Sequence, residues 1–131
     1  MANATAPSLS VLLVDDEVSY VDVLARRLSK RGIEACPATS GQQAIQILRT
    51  RDFDVAVIDL KMERMDGLEL LKVLKKLVPE MQVIILSGHG GEAEARQSIL
   101  AGAYDYIVKP CELTDLVEKI IKAANAGRPA L

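Results

Sequence analysis

Asp15-Asp16-Glu17, Asp59, Ser87 and Lys109 each stand directly after a short aliphatic run, and together they could do phosphoryl chemistry. Carboxylates packed side by side repel, and each raises the pKa of its neighbours unless a cation intervenes. Hard oxygen donors that leave room for water suit Mg²⁺. Asp15, Asp16 and Asp59 carry −3 while Mg²⁺ and Lys109 carry +3, so a balanced cleft keeps positive potential for an incoming phosphoryl group. An Asp carboxylate is also a nucleophile towards phosphorus, giving an aspartyl phosphate. Such a reaction needs positioning and charge neutralisation more than acid–base machinery. Singly, the residues mean little. Acids favour helix N-termini, a lone lysine is usually a surface group, and a lone serine is usually a helix cap. The reading depends on their convergence.

The elements that would bring them together are legible in the hydrophobic pattern. Five aliphatic runs, at residues 9–14, 34–38, 55–58, 82–86 and 104–108, alternate with helical patterns. Three of the runs are continuously apolar, as expected of parallel strands covered on both faces. Helical spacing is carried by Val21, Leu24, Ala25 and Leu28, by Ala44, Ile47 and Leu48, and by Leu70, Leu71, Leu74 and Leu77. Leu113, Leu116, Val117, Ile120, Ile121 and Ala124 give a last helix with the same period. Ser40 to Gln43 and Asp66 to Glu69 read as capping boxes, and Gly32 reads as a helix stop. Residues 92–101, mostly Ala and polar, form the weakest helix and a candidate moving part.

Five strand–helix units with short loops predict an α/β fold with a doubly wound, five-stranded parallel sheet. Pro37 inside the second run cannot donate to a central ladder, which favours strand order 2-1-3-4-5. In that order the ends of strands one, three, four and five share one rim, where ligands of such sheets bind.

The 131 residues fit one domain, expected over 9–125 with loose ends at 1–8 and 126–131. Half the residues are hydrophobic and 26% are charged, which argues for a packed globule. A net charge of −2 and 3% aromatics argue against direct nucleic-acid binding. Cys36 and Cys111 form no C-x-x-C, and with His89 as the single histidine there is no zinc spacing. No signal peptide or membrane span is read, so a cytoplasmic location is expected. Gly88-His-Gly-Gly-Glu-Ala93 matches a dinucleotide fingerprint formally, but it follows the fourth strand rather than the first, which rejects it.

Asp15-Asp16, Asp59, Ser87 and Lys109-Pro110, in that order on those elements, resemble the signature of response-regulator receiver domains of two-component signalling, with a flavodoxin- or CheY-like (βα)5 fold. Met65-Asp66-Gly67 and residues 101–106 extend the resemblance, which covers residues 9 to 124. It implies that Asp59 is the phosphoacceptor and that Asp16 and Asp59 ligate Mg²⁺. Asp15 would act through water, with the Lys61 backbone carbonyl completing the ligands. Ser87 would bind a phosphoryl oxygen and Lys109 would pair with the phosphoryl group. Ser87 and Tyr106 would form the switch that alters the face built from the fourth helix, fifth strand and fifth helix. A cis Lys109-Pro110 bond is implied as well. Lys61 and His89 would tune the lifetime of the aspartyl phosphate. Two departures are plain: Met62 is followed by Glu63-Arg64 where the family often has Pro-Gly, and Cys111 replaces a common Phe.

The resemblance implies a phosphorelay protein, not a turnover enzyme, that receives its phosphoryl group from a sensor histidine kinase or histidine phosphotransfer protein. Its output would pass to a protein target or to an effector domain outside this chain. Receivers often, though not always, form homodimers on the face carrying Tyr106. A phosphohydrolase of the haloacid-dehalogenase type is disfavoured because Lys61 occupies the place of its second Asp. The alternative kept is a phosphorylation-independent, receiver-like binding module.

Overall fold

The computed structural model describes residues 9–88 and 91–127. Five strands and five helices alternate: β1 (Leu9–Val14), α1 (Val18–Lys30), β2 (Ile33–Ala38), α2 (Gly41–Leu48), β3 (Val55–Ile58), α3 (Gly67–Leu77), β4 (Gln82–Ser87), α4 (Glu92–Leu100), β5 (Asp105–Val108) and α5 (Leu113–Gly127). The strands are parallel and ordered β2-β1-β3-β4-β5, the order expected from Pro37. Pro37 does lie on the edge strand, paired with Leu13.

The period of two in β-strands divides each apolar run between two cores. Leu12, Val14, Ala56, Ile58, Val83 and Ile85 pack on one face with Leu70, Leu71 and Leu74 of α3. Val11, Leu13, Val55, Val57, Ile84 and Leu86 pack on the other with Leu28 of α1 and Leu116 and Ile120 of α5. The unbroken apolar runs are thus explained, since both faces of the central strands are covered. Leu77 and Ile121 carry helical spacing but are exposed, because each lies past the edge of its helix's buried stripe.

The helix signals stand at the helix ends, but their side-chain bonds differ from capping boxes. Gly32, at φ 82°, ends α1, and its amide donates to the Ser29 carbonyl at 3.0 Å. Ser40 Oγ accepts the Gln43 amide at 3.1 Å, but Gln43 Oε1 turns back to the Thr39 amide, one residue before the cap. Asp66 Oδ1 accepts the Leu68 amide at 2.8 Å instead of closing a box with Glu69. At α4 it is Glu94 Oε1 that accepts the Gly91 amide, at 3.1 Å. That helix buries only the Ser98 side chain, while Ile99 and Leu100 are exposed. β2 opens one residue earlier than expected and β5 one later, and Ser87 closes β4. Helix α5 continues to Gly127, so Ala126 and Gly127 belong to it and not to a loose end. Residues 1–8 and 128–131 lie outside the described residues. No described helix is long and apolar enough to cross a membrane.

Candidate functional site

Backbone pairing carries the ladder one residue beyond the strands and clamps the acids. The Asp15 amide donates to the Ala38 carbonyl at 3.1 Å, and the Asp59 amide donates to the Val14 carbonyl at 2.9 Å. The Lys109 amide donates to the Ser87 carbonyl at 2.9 Å, tying the ends of β4 and β5 together. Four of the residues expected to converge are therefore held by the sheet itself, and Asp16 follows Asp15 directly.

Asp15, Asp16 and Asp59 each offer a carboxylate oxygen, and these oxygens lie within 4.8 Å of one another. Asp15 and Asp59 are buried, while Asp16 is half-buried. Lys109 Nζ lies 2.9 Å from Asp15 Oδ2 and 3.9 Å from Asp59 Oδ2. Asp15 Oδ1 is occupied by the Glu17 amide at 2.9 Å. Asp59 Oδ1 faces the Lys61 amide at 3.4 Å, and Ser87, fully buried, hydrogen-bonds the Asp59 side chain. Three carboxylates against one ammonium leave the notch short of positive charge. Clustered hard oxygen donors with a charge deficit are what a divalent cation of the Mg²⁺ kind requires, so the residues present fit one.

Burial pushes the Asp59 carboxyl above its ordinary value, and the Asp15 charge adds to this. Lys109, Ser87 and the Lys61 amide oppose it without cancelling it. Mutual repulsion among the acids was the expected cause; desolvation is the larger one. Burial alone would lower the Lys109 ammonium, but the Asp15 hydrogen bond and the charges of Asp15 and Asp59 outweigh it and hold it high. A carboxyl raised in the folded state contributes stability below its unfolded pKa, and that contribution is lost as pH rises through the folded value. Asp59→Asn should therefore raise the melting temperature of the metal-free protein at pH 7. The gain should vanish towards pH 3 and shrink when Mg²⁺ stabilises the wild type. Melting curves with and without Mg²⁺ check this, and a less stable variant at pH 7 would contradict it.

Ser87 and Tyr106, the pair expected to switch, stand on neighbouring strands. Tyr106 pairs with Ile85 and Ser87 pairs with Val108, so Ser87 and Tyr106 lie on strand positions that face the same core. Tyr106 is half-buried against that core, and burial raises its phenol, with the Glu94 and Asp59 charges adding to the shift. Lys109-Pro110 is cis, as the resemblance implied. His89 lies outside the described residues. A Cβ built on Gly88 would meet nothing within 4 Å, so packing does not demand glycine there.

Two contributors were not expected. Asp16 Oδ2 accepts the Glu63 amide at 3.1 Å, a bond that a proline at 63 could not make. The departure Met62-Glu63-Arg64 thus gives the β3–α3 loop a grip on Asp16; the missing proline was its only sequence signal. The Tyr20 ring lies 4.2 Å from Lys109 Nζ. Its only signal was position, one helical turn beyond Asp16.

The chain is similar to known proteins over most of its length. The E. coli O157:H7 transcriptional regulatory protein ZraR is 34% identical over 119 residues, covering 91% of this chain and 27% of that protein. A putative NtrX-like response regulator of Rickettsia conorii is 39% identical over 122 residues, covering 92% of this chain and 26% of that protein. The chain thus spans about a quarter of the length of these relatives. A CheY-like receiver domain from Methanospirillum hungatei JF-1 superposes with a TM-score of 0.87 at 30% identity, covering 92% of this chain and 97% of that one. The family described as the response regulator receiver domain matches residues 11–121, which takes in every acid of the notch, Ser87, Tyr106 and Lys109. The chain belongs to that family and is a receiver domain of two-component response regulators.

Proposed function

We propose that Asp59 accepts a phosphoryl group from a phosphohistidine and that the aspartyl phosphate switches a protein-interaction face. The observation that carries this reading is the acid triangle with Lys109 Nζ 2.9 Å from Asp15 and 3.9 Å from Asp59. An Asp59 carboxylate oxygen attacks phosphorus as the bond from phosphorus to the donor imidazole nitrogen breaks. The imidazole leaves with the bonding pair, neutral because its other nitrogen keeps its proton. Asp16 and Asp59, Asp15 through water and the Lys61 backbone carbonyl would hold Mg²⁺, which would neutralise charge on the phosphoryl oxygens. Lys109 turns its ammonium from Asp59 to a phosphoryl oxygen, and Asp15 holds the lysine stem in range. The Ser87 hydroxyl donates to another phosphoryl oxygen, which empties space that Tyr106 can enter from the same face. Hydrolysis of the acyl phosphate resets the state.

The domain works in this reading as a switch that catalyses only its own phosphorylation and dephosphorylation. The donor is a cytoplasmic sensor histidine kinase or histidine phosphotransfer protein. Output passes through the α4–β5–α5 face, where Leu100, Tyr104, Val108 and Ile121 stand exposed. A protein target, an effector domain or a second copy is what such a face would meet. Direct contact with nucleic acid or membrane is not part of the reading.

Intact mass after incubation with acetyl phosphate and Mg²⁺ tests it, beside Asp59→Asn. One phosphate adduct is expected, dependent on Mg²⁺ and absent from the variant. No adduct under any condition would favour a phosphorylation-independent binding module.

A further inference from the structure

Tyr20 is the third residue of α1, and the face of its ring carries the Lys109 ammonium at 4.2 Å from the centroid. At that distance the ring quadrupole attracts a cation, the more so where water is scarce. The same nitrogen has Asp15 Oδ2 at 2.9 Å and Asp59 Oδ2 at 3.9 Å. Acids and ring thus divide the surroundings of the ammonium between them. The ring attracts the charge without offering a lone pair, so the three N–H donors stay available to oxygens.

Tyr20 also stands between two spaces. A cavity of about 10 Å³, room for a single water, lies beneath the carboxylates with Asp15 and Asp59 in its wall. A cleft of about 110 Å³ opens between α1 and α5, lined by Arg27, Cys111 and Leu116. Tyr20, Leu24 and Leu86 line both.

We propose that Tyr20 is a positioning residue for Lys109, its ring fixing the ammonium between Asp15 and Asp59 so that the lysine meets an incoming phosphoryl group already oriented. The effect on phosphorylation rests on the reading of Asp59 as phosphoacceptor; the ring–ammonium coupling does not.

Two measurements on the full chain separate these. In the metal-free protein, Tyr20→Leu and Lys109→Met form a double-mutant cycle read by urea unfolding, with Lys109→Gln replacing the Met variant should that one not fold. Tyr20→Leu should change the unfolding constant at least roughly threefold less when Lys109 is already gone. Equal changes in both backgrounds overturn the proposal, whether or not the chain takes phosphate. Initial rates of adduct formation with acetyl phosphate and Mg²⁺ are then compared for Tyr20→Phe and its mono-, di- and trifluorinated forms. Fluorination drains the ring face while nearly keeping its shape, so a packing role would give a flat series. The expected result is a stepwise fall reaching roughly tenfold, with Tyr20→Phe losing less than about threefold. A flat series overturns the proposal. A wild type that takes no phosphate sinks the phosphoacceptor reading alone, since the cycle still decides the coupling.

Discussion

Gly67→Ala should cost about 3 kcal/mol of stability, the upper end of the usual range for overpacking. A Cβ at Gly67 would collide with the Asp59 carbonyl oxygen and stand 2.6 Å from Leu60 Cα and 2.9 Å from the Leu60 carbonyl oxygen. All of these are main-chain atoms, so no side chain can swing aside. The Gly67 amide also donates to the Leu60 carbonyl at 2.8 Å, which closes the β3–α3 loop on itself. Two effects compete. Alanine at the first position of α3 gains about 0.5–1 kcal/mol over glycine in backbone entropy. The clash costs more, and its relief moves the carbonyl of Asp59 itself. Urea unfolding should therefore show a much lower midpoint, and phosphate uptake should fall as the carboxylate leaves its place beside Lys109. Gly88→Ala is the control: its Cβ meets nothing, and its stability should stay within about 0.5 kcal/mol of wild type. If Gly67→Ala were equally silent, close approach would not be the reason for glycine in this loop.

The same loop shows where the sequence was readable and where it was not. Val55, Ala56, Val57 and Ile58 announced a buried strand because covering both faces leaves no polar position in it. Asp59 then announced a site, since a carboxylate at the carboxyl end of a central strand has no packing role. Pro37 settled the sheet order through one missing amide. These signals are local, or follow from the period of the strand. What stayed hidden depends on distances across the fold. The Glu63 amide meets Asp16 across 47 positions of sequence, and the Tyr20 ring meets Lys109 between the start of α1 and the end of β5. Neither contact has a period or spacing that would reveal it. The capping boxes failed for a related reason. Ser, Asp, Gln and Glu can each bond to more than one nearby amide, and the entry angle of the chain chooses among them. Ile121 shows the limit of helical periodicity: spacing marks a stripe but not where its edge falls.

Lys109→Met should remove about 2 kcal/mol of stability at pH 7 in the absence of divalent cations. Breaking a fully buried ion pair costs about 3–5 kcal/mol, because the remaining charge is left unpaired. The figure here is lower because the Lys109 side chain retains 18% exposure, although Asp15 and Asp59 keep only 7% and 10%. The pH dependence separates this from lost packing, since methionine keeps most of the apolar stem. Burial already holds the Asp59 carboxyl above its ordinary value, and Lys109 is the main influence opposing that rise. Its removal lets the carboxyl rise further. A group whose folded pKa is raised confers its stability below the unfolded pKa and loses it as pH climbs through the folded one. The deficit of Lys109→Met should thus be greatest near neutrality and fade as acidification protonates Asp59. Mg²⁺ at neutral pH should fade it too, by returning positive charge to the notch. Urea unfolding at pH 7 and pH 4, with and without Mg²⁺, measures all three. A deficit equal at both pH values would mean that the lysine stem, and not its charge, holds the site together. Phosphate uptake should fall in parallel, on the order of a hundredfold, as expected when one preorganised charge facing the transferring group is lost.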